Sequence, residues 1–372
     1  MTNSSTDIDT DRDTDGGTDA GAETRSDGSV PNSNSPAGTD APSRGGPFER
    51  KVQLPGGSTF AISLPKAWAL EQDLEAGMSM YLYSHRDRLV VAPVPLDGGD
   101  RSTRIDAAAV DPQTIPQRVE AAYTAGCDRI RVANGDELDD AVRRTITRSI
   151  GTLVGVEIHG ETEHEIVARN VLDAGDVSLP QTVAQIRQLA LEMHEEALEA
   201  VRTDDDALAR RVIDRDDNVD RLFAFVSRGF YRGLEDVHEI NRLDADRTAA
   251  FCNYRKARQL ERIADHAGEI ASVADRQSDA PDEVLADRLE AVAADAREVV
   301  SLALAGDVDR AIATESAVRD EVVTLDRTLY GSDDPDAYLY GSVLESIRRT
   351  AAYGVNVTDA TVEAASRDSS SD

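Results

Sequence analysis

Lysine is almost missing from this chain. Among 372 residues there are three, Lys51, Lys66 and Lys256, and the rest of the 40 basic residues are arginine. Cysteine is as scarce: Cys127 and Cys252 stand alone, which excludes a disulfide framework or a cysteine-based zinc spacing and suits a reducing cytosol. No stretch of ~20 apolar residues occurs and no basic segment leads into an apolar run, so neither a membrane-spanning helix nor a secretory leader is expected. A P-loop, a dinucleotide fingerprint and a nucleophile elbow are also lacking. The single Glu-x-x-His, from Glu235 to His238, is too little for a di-iron bundle, which needs two such motifs and two further glutamates. These absences lead to the expectation of a soluble, cytoplasmic protein that is not an enzyme and does not insert into membranes.

Acid is what the chain has in quantity. Seventy-one aspartates and glutamates oppose the 40 cations, for a formal charge of -31, a balance that resembles adaptation to multimolar intracellular salt. At such ionic strength the Debye length is about 3 Å or less, so self-repulsion is screened and long-range attraction to a polyanion is weak. The acidity is therefore no argument against contact with nucleic acid. It requires instead that such contact be short-range and set by geometry.

The length allows two to three domains. Residues 1–46 are Asp, Thr, Ser, Gly and Asn with hardly an apolar side chain, so ordering them has no burial to offset it and a disordered acidic tail is expected. The segment Arg50 to Val94 then reads as a β-rich module. Val52 and Leu54 alternate with polar neighbours, Pro55-Gly56-Gly57-Ser58 breaks the strand, and Phe60, Ile62 and Leu64 resume the period of two. Pro65 suits the first position of a short helix carrying Trp68 and Leu70. Met78 to Tyr83 and Arg88 to Val94 pair as a hairpin around His85-Arg86-Asp87. Some ~45 residues bury too little apolar surface to stand alone, so two copies should interlock. Two of the three lysines fall in this module, which marks it for contact with a polyanion.

The order strand, Gly-Gly-Ser/Thr loop, strand, Leu-Pro-Lys-x-Trp, glycine and hairpin resembles the SpoVT/AbrB swapped-hairpin DNA-binding domain, over residues 47–95. The resemblance implies that the first strand and the following loop face DNA, through Arg50, Lys51, Gln53, Ser58, Thr59 and Lys66. The residue types fit: Arg and Lys reach phosphates or guanine edges, and Gln can pair with adenine. Ordinary solvated strand residues on a dimerisation barrel are the competing reading.

A linker is expected from Pro95 to Thr103, and then a small α/β unit over residues 104–174. Its parts are a helix from Pro116 to Ala125 ended by Gly126, a strand from Arg129 to Val132, a helix from Glu137 to Ser149, and a hairpin of Val154 to Ile158 with Glu165 to Val171 across Gly160. His159 and His164 at that turn read as exposed residues rather than ligands.

Beyond Ser178, which with Leu179-Pro180 gives a helix start, six amphipathic runs follow: Pro180 to Arg202, Asp206 to Val237, Ala245 to Asp275, Asp282 to Ala305, Val308 to Leu329 and Asp336 to Ser366. Breaks at Thr203-Asp204-Asp205 and Gly306-Asp307 occupy equivalent places. The six divide into two three-helix repeats, residues 178–278 and 279–366, with residues 367–372 as a disordered tail. The segments Ile213 to Asp220 (IDRDDNVD) and Leu260 to Ala267 (LERIADHA), with the tandem repeat, look like PhoU, the phosphate-uptake regulator family. That resemblance implies acidic pairs on neighbouring helices that hold metal: Asp216, Asp220, Glu261 and Asp265.

Acid is so frequent here that such pairs also arise by chance, but their placement adds something. On a helical wheel Asp216 falls inside the apolar stripe of Val212, Val219, Phe223 and Val226, with Asp220 on its flank. Glu261 and Asp265 lie beside the stripe of Leu260, Ala264, Ala267 and Ala271. An acid on a core face needs a partner. A divalent cation would serve, and carboxylate-only ligands favour magnesium, manganese or iron; salt bridges to Arg215, Arg262 or Arg255 would serve as well. In the second repeat Val318, Arg319 or Val322 stands in for Asp216, and Arg348 and Ala352 for Glu261 and Asp265, so half of any duplicated site is missing. His266 should point away from the stripe, to the surface.

The expectation is thus a multidomain, mainly α protein with an N-terminal swapped-hairpin β-barrel module, a small α/β middle unit and a C-terminal six-helix PhoU-like bundle. The combination resembles archaeal phosphate-uptake regulators, which implies a homodimeric DNA-binding transcription regulator of phosphate homeostasis. The alternative is a PhoU-like accessory protein that binds a phosphate ABC transporter or a signalling protein, with the β module serving only dimerisation.

Overall fold

The computed structural model describes residues 48–94 except 56, 58, 86 and 87, and residues 101–172, 178–235 and 247–368. The expected tail over 1–46, Ser58, residues 95–100 of the expected linker, His238 and residues 369–372 lie outside these. The chain divides into two compact units, one ending at Leu74 and one beginning at Glu75.

In the first unit the expected pair of strands is reduced to one bridge, in which Gln53 and Ala61 exchange two backbone hydrogen bonds of 2.8 Å. A ribbon of two strands is marginal in water without a third strand or a packed face. The short helix α1 runs Lys66–Glu71, with Pro65 as its N-cap rather than its first residue. The alternating apolar side chains stay in solvent: Val52, Leu54, Phe60 and Ile62 are 63, 54, 77 and 59% exposed.

The second unit opens with the hairpin of β1 (Tyr81–His85) and β2 (Arg88–Ala92), in register Tyr81 to Ala92 and Ser84 to Leu89. A four-stranded sheet follows in the order β3-β4-β6-β5, from β3 (Ser102–Asp106), β4 (Arg129–Ala133), β5 (Val156–Glu161) and β6 (Glu165–Asn170). β3 corrects the sequence reading, which left its first two residues in a linker and placed no strand there. It pairs parallel with β4 through the crossover helix α2 (Ile115–Thr124). The hairpin turn is also displaced: Gly160 sits within β5 beside a bulge at Ile158, and the chain reverses over Thr162 to His164. One sheet face, with Ile105, Ile130, Val132, Ile166 and Ala168, buries against α2 and α3 (Asp140–Thr152), whose Val119, Tyr123, Ile146 and Ile150 complete the core.

The rest is helical, as the 3.6-residue periodicity requires. α4 (Leu179–Thr203), α5 (Asp206–Glu235) and α6 (Arg247–Ala274) form one three-helix group. α7 (Glu283–Ala305), α8 (Val308–Tyr330) and α9 (Ala337–Asp368) form the other. Described ends lie within a residue or two of the expected ones. Both first connections are tight turns through a left-handed residue, Asp204 (φ 53) and Gly306 (φ 83). One continuous apolar core joins the groups, and α9 lies close enough to α7 that a side chain on Gly354 would meet Val299 Cγ1 at 2.9 Å and the backbone of Val300 at 3.1 Å. Among the described residues no helix is long and apolar enough to cross a membrane.

Candidate functional site

Three of the four acids read from the sequence come together between α5 and α6, and the fourth, Glu261, lies one turn before Asp265, near enough to feel its charge and that of Asp220. Asp216, Asp220 and Asp265 each present a carboxylate oxygen within 4.8 Å of the others. Asp216 and Glu261 are half-buried, and Asp216 Oδ1 and Glu261 Oε2 are shut off from water with no hydrogen-bond donor. α5 places the first pair because Val212, Val219 and Val226 turn its apolar row inward; α6 places the second because Leu260, Ala264, Ala267 and Ala271 do the same.

Electrostatics reflects this crowding. Asp216 is pushed up to about 6 by burial and then by the charges of Asp265 and Asp217. Asp220 rises to about 7 through burial, Asp216 and Asp265, with a further contribution from Glu120 on α2. Glu261 rises to about 7 through burial, Asp265 and Asp220. Asp265 is raised as well, mainly by burial, with His266 opposing. Asp220 keeps surface in solvent, so repulsion from Asp216 and Asp265 counts beside burial there, whereas the one carboxylate that raises Asp265 is Glu269 on its own helix.

The three arginines that could have neutralised the cluster are engaged elsewhere. Arg215 pairs with Glu196; the guanidinium of Arg262 lies over the Tyr353 ring at 5.5 Å and that of Arg255 over Phe251 at 5.7 Å. Arg258 and Arg262 act on Glu261 only at a distance. Among the described residues none of the four carboxylates forms an ion pair. An acidic set with two orphaned buried oxygens and no cation of its own suits a hard divalent ion chemically.

The second helical group has no counterpart. Val318 and Val322 are buried apolar residues, Arg319 pairs with Glu315, and Arg348 holds Glu345 at 2.6 Å. His266 departs from its expected surface position: it stacks on Tyr353 at 5.6 Å and meets Glu269 Oε2 at 2.7 Å, because α9 covers that side of α6.

Further along α5 the same i, i+4 row continues from Asp216 and Asp220 through Ala224 to Arg228 and Arg232, and there it meets the α/β unit. Arg228 donates to the carbonyls of Tyr123 (3.0 Å) and Cys127 (2.7 Å) and to Asp128 Oδ1 (2.6 Å). Arg232 donates to Asp128 Oδ1 and Oδ2 at 2.6 and 2.7 Å. Gly126 (φ +92) is needed there, since a Cβ would lie 2.8 Å from the Arg232 stem. This clamp escaped the sequence reading; the only signal was two arginines continuing a buried row. His194 was also unforeseen: wholly buried, with Nδ1 3.3 Å from Arg297 and Nε2 unpartnered, it is pulled down to about 3, mainly by burial.

Of the residues expected to face DNA, Arg50, Lys51, Gln53, Thr59 and Lys66 are exposed in the first unit. Arg50 donates to Glu49 O and lies over Phe48. The hairpin histidines are exposed, His164 lying 3.7 Å from Asp136.

Residues 183–274 match the PhoU domain family model, so α4 to α6, with the acidic cluster, carry a PhoU domain. Among solved structures the chain is similar to the phosphate transport system regulatory protein PhoU from Streptococcus pneumoniae, with 18% identity and a TM-score of 0.40, covering 50% of this chain and 91% of that one. No curated protein matches the chain.

Proposed function

We propose that this protein is a homodimeric, DNA-binding regulator of phosphate homeostasis whose PhoU-like helices carry the signal and whose acidic cluster holds a divalent cation. The observation that carries the reading is the first unit. Its strand-loop-strand segment keeps an alternating apolar row in solvent beside Arg50, Lys51 and Lys66. One protomer does not cover that row; a second copy, interlocked in the SpoVT/AbrB manner, would bury it and align two sets of cations. At the salt concentrations for which this composition suits a protein, short-range contacts from both protomers would supply the affinity. For the cation, Asp216, Asp220, Glu261 and Asp265 are the ligand set, and binding there would relieve carboxylate repulsion.

The test is retention of a promoter fragment in high salt. Lys51→Glu and Arg50→Glu should each leave the dimer intact and abolish retention. Unchanged retention would instead favour the accessory-protein reading, with the β module as a dimerisation element only.

A further inference from the structure

The face of the four-stranded sheet turned away from α2 and α3 carries an accumulation of arginine that the sites above do not use. Side chains alternate along a strand, so while Ile105, Ile130, Val132 and Ala168 enter the core, Arg104, Arg129, Arg131 and Arg169 share the opposite face. The registers set Arg104 directly against Arg131 and Arg129 directly against Arg169. Like charges opposite one another destabilise a sheet. Two such pairs side by side, in a chain of 71 acids and 40 cations, run against both the local energetics and the composition.

Three acids share this face with the four arginines: Asp106, which accepts from Asn134 Nδ2 at 2.6 Å and from the Ala108 N–H at 3.2 Å, Glu157 and Glu165. Glu165 lies 3.3 Å from Arg131, both side chains well solvated, a kind of pair worth little, and Glu157 stands opposite Arg169 on β5. Among the described residues Arg104 and Arg129 form no ion pair, and the Nε of Arg129 is buried without a partner.

We infer that this face is a second DNA-contacting surface that takes the sugar-phosphate backbone of a duplex. The dimensions support a polymer over a lone anion. Strands lie about 4.8 Å apart and alternate residues about 6.6 Å apart, so the four arginine roots span a patch of roughly 10 by 7 Å, too wide for one phosphate group and suited to successive phosphates along a strand. Guanidinium is the group best shaped for phosphate oxygens. None of the residues that β3, β4 and β6 place on this face is aromatic, so it lacks the stacking platform on which single strands are held. Contacts of this kind position a protein on DNA without reading sequence. The inference rests on the DNA-binding reading above, with the base-reading role left to the first unit.

The test uses the full chain and a duplex promoter fragment over a KCl series in which the circular dichroism is unchanged. R104A/R131A and R129A/R169A should each weaken binding at every salt, equally for promoter and unrelated duplex, and lower the slope of log affinity against log salt by about 2. R104K/R131K should keep most of the slope. The melting temperature of R104A/R131A should change little, because the repulsion relieved offsets the exposed Arg131–Glu165 pair that is lost. If the alanine pairs bind with wild-type affinity and slope while K51E loses binding, the sheet face is excluded and the regulator reading stands. If K51E binds as wild type while the alanine pairs do not, the sheet inference stands and the assignment of the first unit falls. Loss of single-stranded RNA or acidic-protein binding with duplex binding intact would also overturn the inference, as would a wild-type chain that binds no duplex.

Discussion

Three carboxylates within 4.8 Å of one another, with Glu261 beside them and none of the four in an ion pair, make the acidic cluster sensitive to protons. Carboxyl groups raised to about 6 or 7 (Asp216, Asp220, Glu261) hold protons in the folded chain that the unfolded chain has already released. The folded state then binds more protons, so without a divalent ion the contribution of these groups to stability falls as pH rises from the ordinary carboxylate range through about 7, and changes little above that. Thermal melts in chelator should therefore drop between pH 5 and pH 8. Manganese should restore the loss at pH 8 and do little at pH 5, by about 2.7 kcal/mol when it stands at 100 times its dissociation constant. Glu261→Gln with Asp220→Asn should flatten the pH dependence and remove the manganese effect; an unaltered manganese effect in that variant would place the ion elsewhere. At this scale the sequence was legible where one helix decides the matter: the wheel of α5 alone put Asp216 in the apolar stripe. It was silent on whether Arg215, Arg255 or Arg262 would turn toward the acids, and misplaced His266, because both depend on neighbours that a single helix does not reveal.

The elements that could be read were the long ones. Helices α4 to α9 repeat their apolar positions over six or more turns; Asp205 and Asp282 cap α5 and α7, and left-handed Asp204 and Gly306 end α4 and α7, although Ser178, the expected cap of α4, makes no side-chain capping bond. β3 was missed because Ser102-Thr-Arg-Ile-Asp offers one large apolar side chain and pairs with β4 across a crossover, so its stabilising partner is not local. The clamp between α5 and the α/β unit was hidden for the same reason, since Arg228 meets Asp128 100 residues away in sequence. Its energetics give a prediction. Asp128→Ala would leave two guanidiniums enclosed with no carboxylate between them, and breaking such a buried network costs about 3–5 kcal/mol. The urea midpoint of the full chain should fall accordingly, whereas Arg131→Ala, which removes an exposed pair with Glu165, should shift it by less than about 1 kcal/mol. Equal shifts would mean that the clamp is not what holds α5 to the sheet.

For the whole molecule, the central claim is that a DNA-reading end and a PhoU-like signalling end act as one regulator. Its quaternary requirement is direct: Phe60 and Ile62, 77 and 59% exposed in the protomer, must be covered by a second copy. Sedimentation should give a dimer for the native chain and a monomer of unchanged helix content for Phe60→Asp with Ile62→Asp; a dimer in both would move the interface elsewhere. Its functional requirement is met or refused by one experiment, genome-wide footprinting of the protein in its own cells at high and low phosphate. Occupancy upstream of phosphate-transport genes that changes between the two conditions is the predicted result. Absence of bound sites, or sites indifferent to phosphate, would contradict the account.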